Sequence, residues 1–483
     1  MGRDPGAPLN ERVARREEVW RGSPRAGNAV APARERRSAL DRFLSLFADV
    51  GAGEGVTALL LMVNMFLILA AYYLLKTIRE PLILTVPGGP EAKSYSAAAI
   101  AGILMVLVPV YSAVASRVSR LRLINGVTLF FILCLVTFFL LNAAQIPIGI
   151  PFFIWVGIFN LVIIAQLWAF ANDVYTVEEG KRLFAIVGIG ASVGAIVGSF
   201  VTGELVKVYG PYPFMLGAAA LLGLSMVLTN VVNRRERGVR DPAAPGDVAD
   251  AEGKPAAAPP ESPARARGRG GFTLVLQDRY LLLIGILMLV LNLVNTTGEY
   301  ILGKTVVGIY SATQGAAAGG MDEKKLIGQF YGNFFTWVNI ISALLQAFVV
   351  SRVLKWFGVR GALLFLPVVA LTGYLSMAFL PVLGIIRTVK MAENSLDYSV
   401  QNTTRNALYL PTSREAKYKA KQANDTFFVR MGDVLSAGLV FTGTTWLGFK
   451  QGQFALTNVV LVLIWIALAV VVGIRFRALA KTG

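Results

Sequence analysis

Apolar residues in this chain fall in long runs separated by short polar stretches. A helix needs ~20 mostly apolar residues to cross a bilayer. The runs at 56–75, 281–302 and 459–474 with its flanks reach that length. The ~10-residue alternating segments of a membrane β-barrel are absent. The pattern predicts twelve crossings. Six are at 56–80, 94–116, 122–143, 151–176, 181–206 and 213–233, and six at 280–303, 325–352, 361–380, 382–408, 424–447 and 453–475.

One stretch, 166–198, carries the pattern in miniature. It runs apolar and aromatic to Asn172 and Asp173, turns on Glu178-Glu179-Gly180-Lys181-Arg182, and becomes apolar again. This reads as two membrane helices joined by a charged hairpin. In the second, Gly190, Gly194 and Gly198 recur every four residues, a spacing that lets a neighbouring helix approach closely in lipid. The expected fold class is therefore an all-α polytopic membrane protein of twelve transmembrane helices, arranged as two six-helix halves in a major-facilitator-like architecture.

Three echoes argue for the duplication. Ser116-Arg117-Val118-Ser119-Arg120 matches Ser351-Arg352-Val353-Leu354-Lys355. Asn172 and Tyr175 before one charged turn match Asn406 and Tyr409 before another. Tyr73-Leu74-Leu75-Lys76-Thr77 resembles Tyr300-Ile301-Leu302-Gly303-Lys304-Thr305. Halves related by an axis along the membrane normal are a known transporter plan. The domain reading follows: a disordered and amphipathic tail (1–53), the first half (54–233), a flexible Pro/Ala/Gly/Arg-rich linker (234–279), the second half (280–476) and a short tail (477–483). Within the first tail, Leu40, Phe43, Leu44 and Phe47 share one face of a stretch suited to the membrane surface.

Composition sharpens this picture. Hydrophobic residues make up 55% of the 483 positions and the mean hydropathy is +0.60, too apolar for a soluble chain of this length. The net charge of +17 is first a topology signal. Arg and Lys crowd the loops after spans two, four, six, eight, ten and twelve, which places both termini in the cytoplasm. No nucleic-acid partner is expected; the partners expected are the lipid bilayer and an anionic small molecule, and the protein is read as a monomer. The N-terminal 40 residues lack the apolar core of a secretory signal, and the composition fits a bacterial inner membrane. There is no histidine and one cysteine, Cys134, so no intrachain disulfide, His relay or His/Cys zinc cluster can form. No metal and no cofactor is expected. Walker A and nucleophile–base patterns are absent, and the glycines at 188–194 lack the strand a dinucleotide loop requires, so no enzyme activity is expected.

Charges inside the spans carry the candidate chemistry. An ionisable group near a span centre costs about 2.5–3.5 kcal/mol, so it normally faces the bundle interior. Lys76 and Arg79 share a face of span one. Asn292, Asn295 and Glu299 lie on one stripe of span seven, with Lys304 beyond. Span ten carries Arg387, Lys390, Asn394, Asp397 and Gln401 down one face, with Glu393 and Arg405 nearby. Bases near span ends also snorkel to head groups, and a Lys390–Glu393 pair would serve structure alone. Clustered bases suit an anion, phosphates above all.

The stretch 168–194, with Phe170-Ala171-Asn172-Asp173, Tyr175 and Thr176-Val177-Glu178-Glu179-Gly180-Lys181-Arg182, resembles the span-four-to-five region of the bacterial and plastid ATP/ADP translocase family. The stretch 397–438 is similar to that family around span ten, through Tyr398-Ser399, Thr404-Arg405-Asn406, Tyr409-Leu410-Pro411 and Glu415-Ala416-Lys417. Leu75-Lys76-Thr77-Ile78-Arg79-Glu80 resembles the family's basic-x-x-basic-acidic end of span one. The resemblance implies a major-facilitator-like fold and adenine-nucleotide exchange by alternating access. The chain departs from the family at Asn295, where a glutamate usually follows Asn-Leu-Val, and at Asn406, where an acid is usual.

The expected substrate site is Lys76, Arg79, Lys304, Arg387, Lys390 and Arg405 around the phosphates, with Asn295, Glu299 and Asp397 setting counter-charge. The expected gate comprises Asn172, Glu178, Glu179, Lys181 and Arg182, together with Arg414, Glu415 and Lys417. The competing readings are a proton-coupled carrier of another anion, working through Glu299 or Asp397, and a non-transporting scaffold working through its Arg-rich tail.

Overall fold

Helix accounts for nearly all of the described residues, because lipid offers backbone groups no other partner. The computed structural model describes residues 38–46, 48–51, 53–240, 271–316, 322–413 and 415–482. Most of the expected tail (1–37), the core of the expected linker (241–270) and Arg414 of the expected gate lie outside the described residues.

The first half consists of α1 (Glu54–Leu84), α2 (Gly89–Ala115), α3 (Arg120–Ala143), α4 (Gly149–Val174), α5 (Val177–Tyr209) and α6 (Pro213–Arg240). The second consists of α7 (Arg279–Ala316), α8 (Glu323–Leu344), α9 (Val350–Phe379), α10 (Leu383–Leu396), α11 (Val429–Phe441) and α12 (Gln451–Thr482). Among the described residues nine helices are long and apolar enough to cross a membrane. One of these, Glu323–Phe379, holds two crossings, because α9 breaks at Gly358, whose φ of 63° favours glycine. The tenth and eleventh crossings are too polar to count among them, since one carries Arg387, Lys390, Glu393, Asp397 and Arg405 and the other Asp425, Arg430 and Asp433; π-helical turns lie along both, at Asp397–Gln401, Ala416–Ala420 and Asn424–Phe428. All twelve predicted crossings are thus accounted for. The protein is an all-α, multi-pass membrane protein of two six-helix halves.

By contact, residues up to Val56 form one compact unit and residues from Thr57 the other. In the first, the predicted surface helix is short, Ala39–Leu44. The Asp41 carboxylate accepts from the backbone N–H groups of Gly53 and Gly55.

The glycine repeat of α5 does what its spacing predicts. A Cβ added to Gly190, Gly194 or Gly198 would lie 2.1, 2.4 or 2.5 Å from the carbonyl oxygens of Met62, Phe66 and Ala70. Those three residues are themselves four apart on α1, so the two helices run against each other backbone to backbone. A second close crossing joins the halves: a Cβ on Gly332 of α8 would lie 2.2 Å from the Cα of Gly203 on α5. The halves also meet where Tyr95 of α2 packs edge-on to Phe441 of α11.

The seam generates a paired test. Gly194→Ala drives a methyl into a backbone carbonyl and is expected to cost about 1–3 kcal/mol, lowering the melting temperature in detergent by several degrees. Gly188→Ala, on the same helix with nothing within 4 Å of the added carbon, is expected to leave melting unchanged. Equal melting of the two variants would refute the seam.

Candidate functional site

Polar residues of six crossings converge on one cavity between the halves. Tyr72, Lys76, Arg79 and Glu80 come from α1, Lys93 and Ser94 from α2, and Phe153 and Asn160 from α4. Asn295, Thr296, Glu299 and Tyr300 come from α7, and Arg430 and Asp433 from α11. Phe335 of α8, Asn394 of α10 and Tyr398 of the π-turn close the wall. The volume is about 300 Å³.

The wall holds its charges by pairing them. Lys93 reaches Glu80 at 2.7 Å, within its own half, and Glu299 at 3.5 Å, across the interface. Arg79 shares Glu80 at 3.2 Å and lies over the Phe153 ring. Glu299 also faces Lys390 at 3.6 Å and accepts from Asn394 at 3.1 Å. Lys390 is fully buried behind the wall; its ammonium donates to Glu393 at 2.8 Å and to the Asn295 side-chain oxygen at 2.7 Å. The Tyr374 hydroxyl donates to Glu393. On α11, Asp433 takes Arg430 at 3.1 Å and accepts from Asn292 and Thr296.

Lys76 differs. It is 6% exposed, and no carboxylate among the described residues pairs with it. Its ammonium donates to the Tyr398 hydroxyl at 3.1 Å. It sits 4.5–5.9 Å from the ring centres of Tyr72, Tyr73, Phe335 and Tyr398. These rings come from both halves, so one ammonium is held across the interface by π faces. It does not snorkel to the head groups.

The sequence-predicted residues divide accordingly. Lys76, Arg79, Asn295 and Glu299 line the cavity, and Lys390 stands directly behind it. Lys304 turns to Glu91 of α2 at 2.6 Å. Arg387 lies over the Phe330 ring, off the wall. Asp397 and Arg405 are also absent from the wall. Asp397 lies two helical turns on from the buried Lys390 and shares its face behind the wall, and Arg405 follows the π-turn Asp397–Gln401, which shifts every position after it. Asn394 and Tyr398 take the inward positions instead.

Four charged wall residues were not predicted as site residues. Lys93 falls outside a span begun at 94, whereas α2 begins at Gly89; Pro90, suited to a helix's first turn, was the available signal. Glu80 sits beside predicted bases. Arg430 and Asp433 are ionisable groups inside a predicted span, which is itself a site signal.

Of the predicted gate, Glu179 is engaged in a capping box. Its carboxylate accepts from the Thr176 N–H at 2.8 Å, while its own N–H donates to the Thr176 hydroxyl. Asn172, Glu178 and Lys181 are exposed, and Arg182 is half-buried. Glu415 pairs with Lys419 one turn on, and Lys417 is half-buried. Arg120 joins Asp173 and the Ala169 carbonyl, tying α3 to the end of α4.

No family model matches the chain. Among solved structures, it is similar to the nucleoside transporter NupG (TM-score 0.57, 14% identity, covering 88% of this chain and 99% of that one). It is also similar to a transporter of the POT family solved with a thioalcohol-conjugated peptide (TM-score 0.60, 14% identity, 89% and 97%). The fold is therefore that of the major-facilitator-type transporters. In sequence, the chain is 23% identical over 363 residues to ADP,ATP carrier protein 1 of Chlamydia trachomatis serovar D, a match over 66% of this chain and 63% of that carrier's length. Its matches to such carriers span less than two thirds of their length.

The buried pair and the caged lysine separate structure from binding. Lys390→Ala strands Glu393 in the interior and is expected to destabilise the protein by about 3–5 kcal/mol. Lys76→Gln strands no carboxylate and is expected to cost about 1–2 kcal/mol of cation–π attraction. Thermal unfolding in detergent reads both; a Lys76 variant as unstable as the Lys390 variant would show that the cage is a structural element.

Proposed function

We propose that the protein is a secondary transporter that exchanges anionic nucleotides of the ADP/ATP type across the membrane by alternating access. The observation that carries this reading is Lys76, a buried cation with no carboxylate partner among the described residues, opening on a cavity built from both halves. A substrate phosphate would supply the missing counter-charge. Arg79 would stand beside it, and Lys390, Asn295 and Glu299 would hold the opposite wall. Likeness to the ADP,ATP carriers in sequence and to transporters in fold supports the same reading.

Exchange needs a site that both halves complete. The wall draws on α1, α2 and α4 from one half and on α7, α8, α10 and α11 from the other. Rocking the halves about the α5–α8 and α2–α11 contacts would open the cavity to either face in turn. The charged first turn of α5 at 178–182 and the charged segment 415–421 would then form the inner gate. In this reading the protein works as a monomer in a bacterial inner membrane, with both termini cytoplasmic and no cofactor.

The test is uptake of labelled adenine nucleotide into proteoliposomes. Uptake is expected to require nucleotide inside and to fall at least about tenfold in Lys76→Gln, one lost charge-assisted contact. Uptake indifferent to internal nucleotide would overturn exchange. Uptake that follows a pH gradient instead would favour the proton-coupled carrier.

A further inference from the structure

The cavity is less basic than its bases suggest. Four cations line it, Lys76, Arg79, Lys93 and Arg430, against three carboxylates, Glu80, Glu299 and Asp433. Immediately behind, Lys390 and Glu393 cancel. The wall as a whole carries a single positive charge in excess, and the pairing assigns it to Lys76. The volume, about 300 Å³, stands at the small end of the ~300–1,000 Å³ range of ligand sites.

Resting on the reading above that the protein exchanges nucleotides, and narrowing it away from ADP and ATP, we propose that the preferred substrate is a nucleotide with one phosphate, a nucleoside monophosphate, and not the triphosphate. A phosphate monoester carries about −1.5 to −2 at pH 7, close to what one excess cation and two flanking paired ones offset. Each further phosphate adds negative charge that this wall does not match. In a membrane interior an unmatched charge is expensive. To hold a triphosphate, the wall would have to draw Lys93 or Arg79 away from Glu80, leaving that buried carboxylate with one of its two partners. The two departures from the resembled family do not supply the missing cations: Asn295 bonds to Lys390 on the wall, and Asn406 bonds to the Asn402 carbonyl of its own helix.

The experiment measures equilibrium binding of labelled AMP and ATP to the purified full-length protein in nanodiscs, without Mg²⁺. Adenosine and inorganic phosphate serve as competitors. AMP is expected to bind at least about tenfold more tightly than ATP, the scale of one uncompensated charge at partial burial. Adenosine and phosphate are each expected to compete weakly. Adding Mg²⁺, which binds through substrate phosphates, is expected to narrow the gap from the ATP side. ATP binding as tightly as AMP would overturn the proposal while leaving nucleotide exchange intact. Binding of neither nucleotide would overturn the exchange reading and this proposal with it. Phosphate competing as well as AMP would reassign the site to a simple phosphate carrier and overturn the proposal.

A charge variant tests the cause. Glu299→Gln removes one wall carboxylate and is expected to shift the affinity ratio toward ATP by about tenfold. An unchanged ratio in folded Glu299→Gln protein would refute the charge argument. Should that variant fail to fold, Glu80→Gln asks the same question, and the wild-type ranking decides the proposal without either.

Discussion

Every charge in the central cavity has to be stabilised inside a membrane, and the rest of the site follows from how that is done. Glu299 is the pivot. It lies between Lys93 of the first half and Lys390 of the second, at 3.5 and 3.6 Å, and is fixed by Asn394. Such distances allow one carboxylate to serve two lysines loosely, and a small rotation of either half would favour one of them. Glu393 and Asn295 hold Lys390 in place from behind, so the second half presents a fixed cation while Lys93 is shared with Glu80. The interface between the halves is thus partly ionic where it meets the cavity. Towards the bundle end carrying Gly203 and Gly332 it is a close backbone crossing.

Lys76 solves the same problem by other means. Four ring faces stand where a carboxylate would otherwise be needed, and ring quadrupoles attract an ammonium without neutralising it. A full ion pair would satisfy Lys76 and leave nothing for a substrate. In the proposed exchange, an aromatic cage would keep the charge tolerable and available to an anion. The cage includes Phe335 and Tyr398 from the second half, so an anion that draws the ammonium away also loosens one tie between the halves. In that proposal, binding and the relation of the halves would be coupled through a single side chain.

Much of this was legible in the sequence because membrane helices obey simple rules. Length and hydropathy gave the twelve crossings, and the four-residue glycine spacing gave the α1–α5 seam. The rule that buried ions face inward marked Lys76, Arg79, Asn295 and Glu299. Legibility failed where a rule of regular helices was applied to an irregular one. The stripe down span ten was counted as one cavity-facing side, but Asp397 shares the face of Lys390 behind the wall, and the π-turn at Asp397–Gln401 shifts Arg405 beyond it. It failed again at a boundary, where a helix start set five residues too late hid Lys93. Thr176-Val177-Glu178-Glu179 was read for its charges, although it also fits the capping-box pattern that Glu179 fulfils.

The irregularity is itself one-sided. Among the described residues the π-helical turns all lie in the second half, at Leu345–Val349, Asp397–Gln401, Ala416–Ala420, Asn424–Phe428 and Thr442–Trp446. The glycine seam that locks α5 to α1 lies in the first half. A π-turn leaves a carbonyl poorly bonded and a helix easier to bend, whereas backbone-to-backbone glycine packing permits little sliding. The first half is therefore built as the stiffer body. It carries Lys76 and Lys93 to the cavity on helices that keep their shape, and the second half brings Tyr398, Lys390 and Arg430 on helices that can flex. Closing such a cavity on an anion costs less if the deformation is confined to α8, α10 and α11 than if two rigid bodies must repack their whole interface.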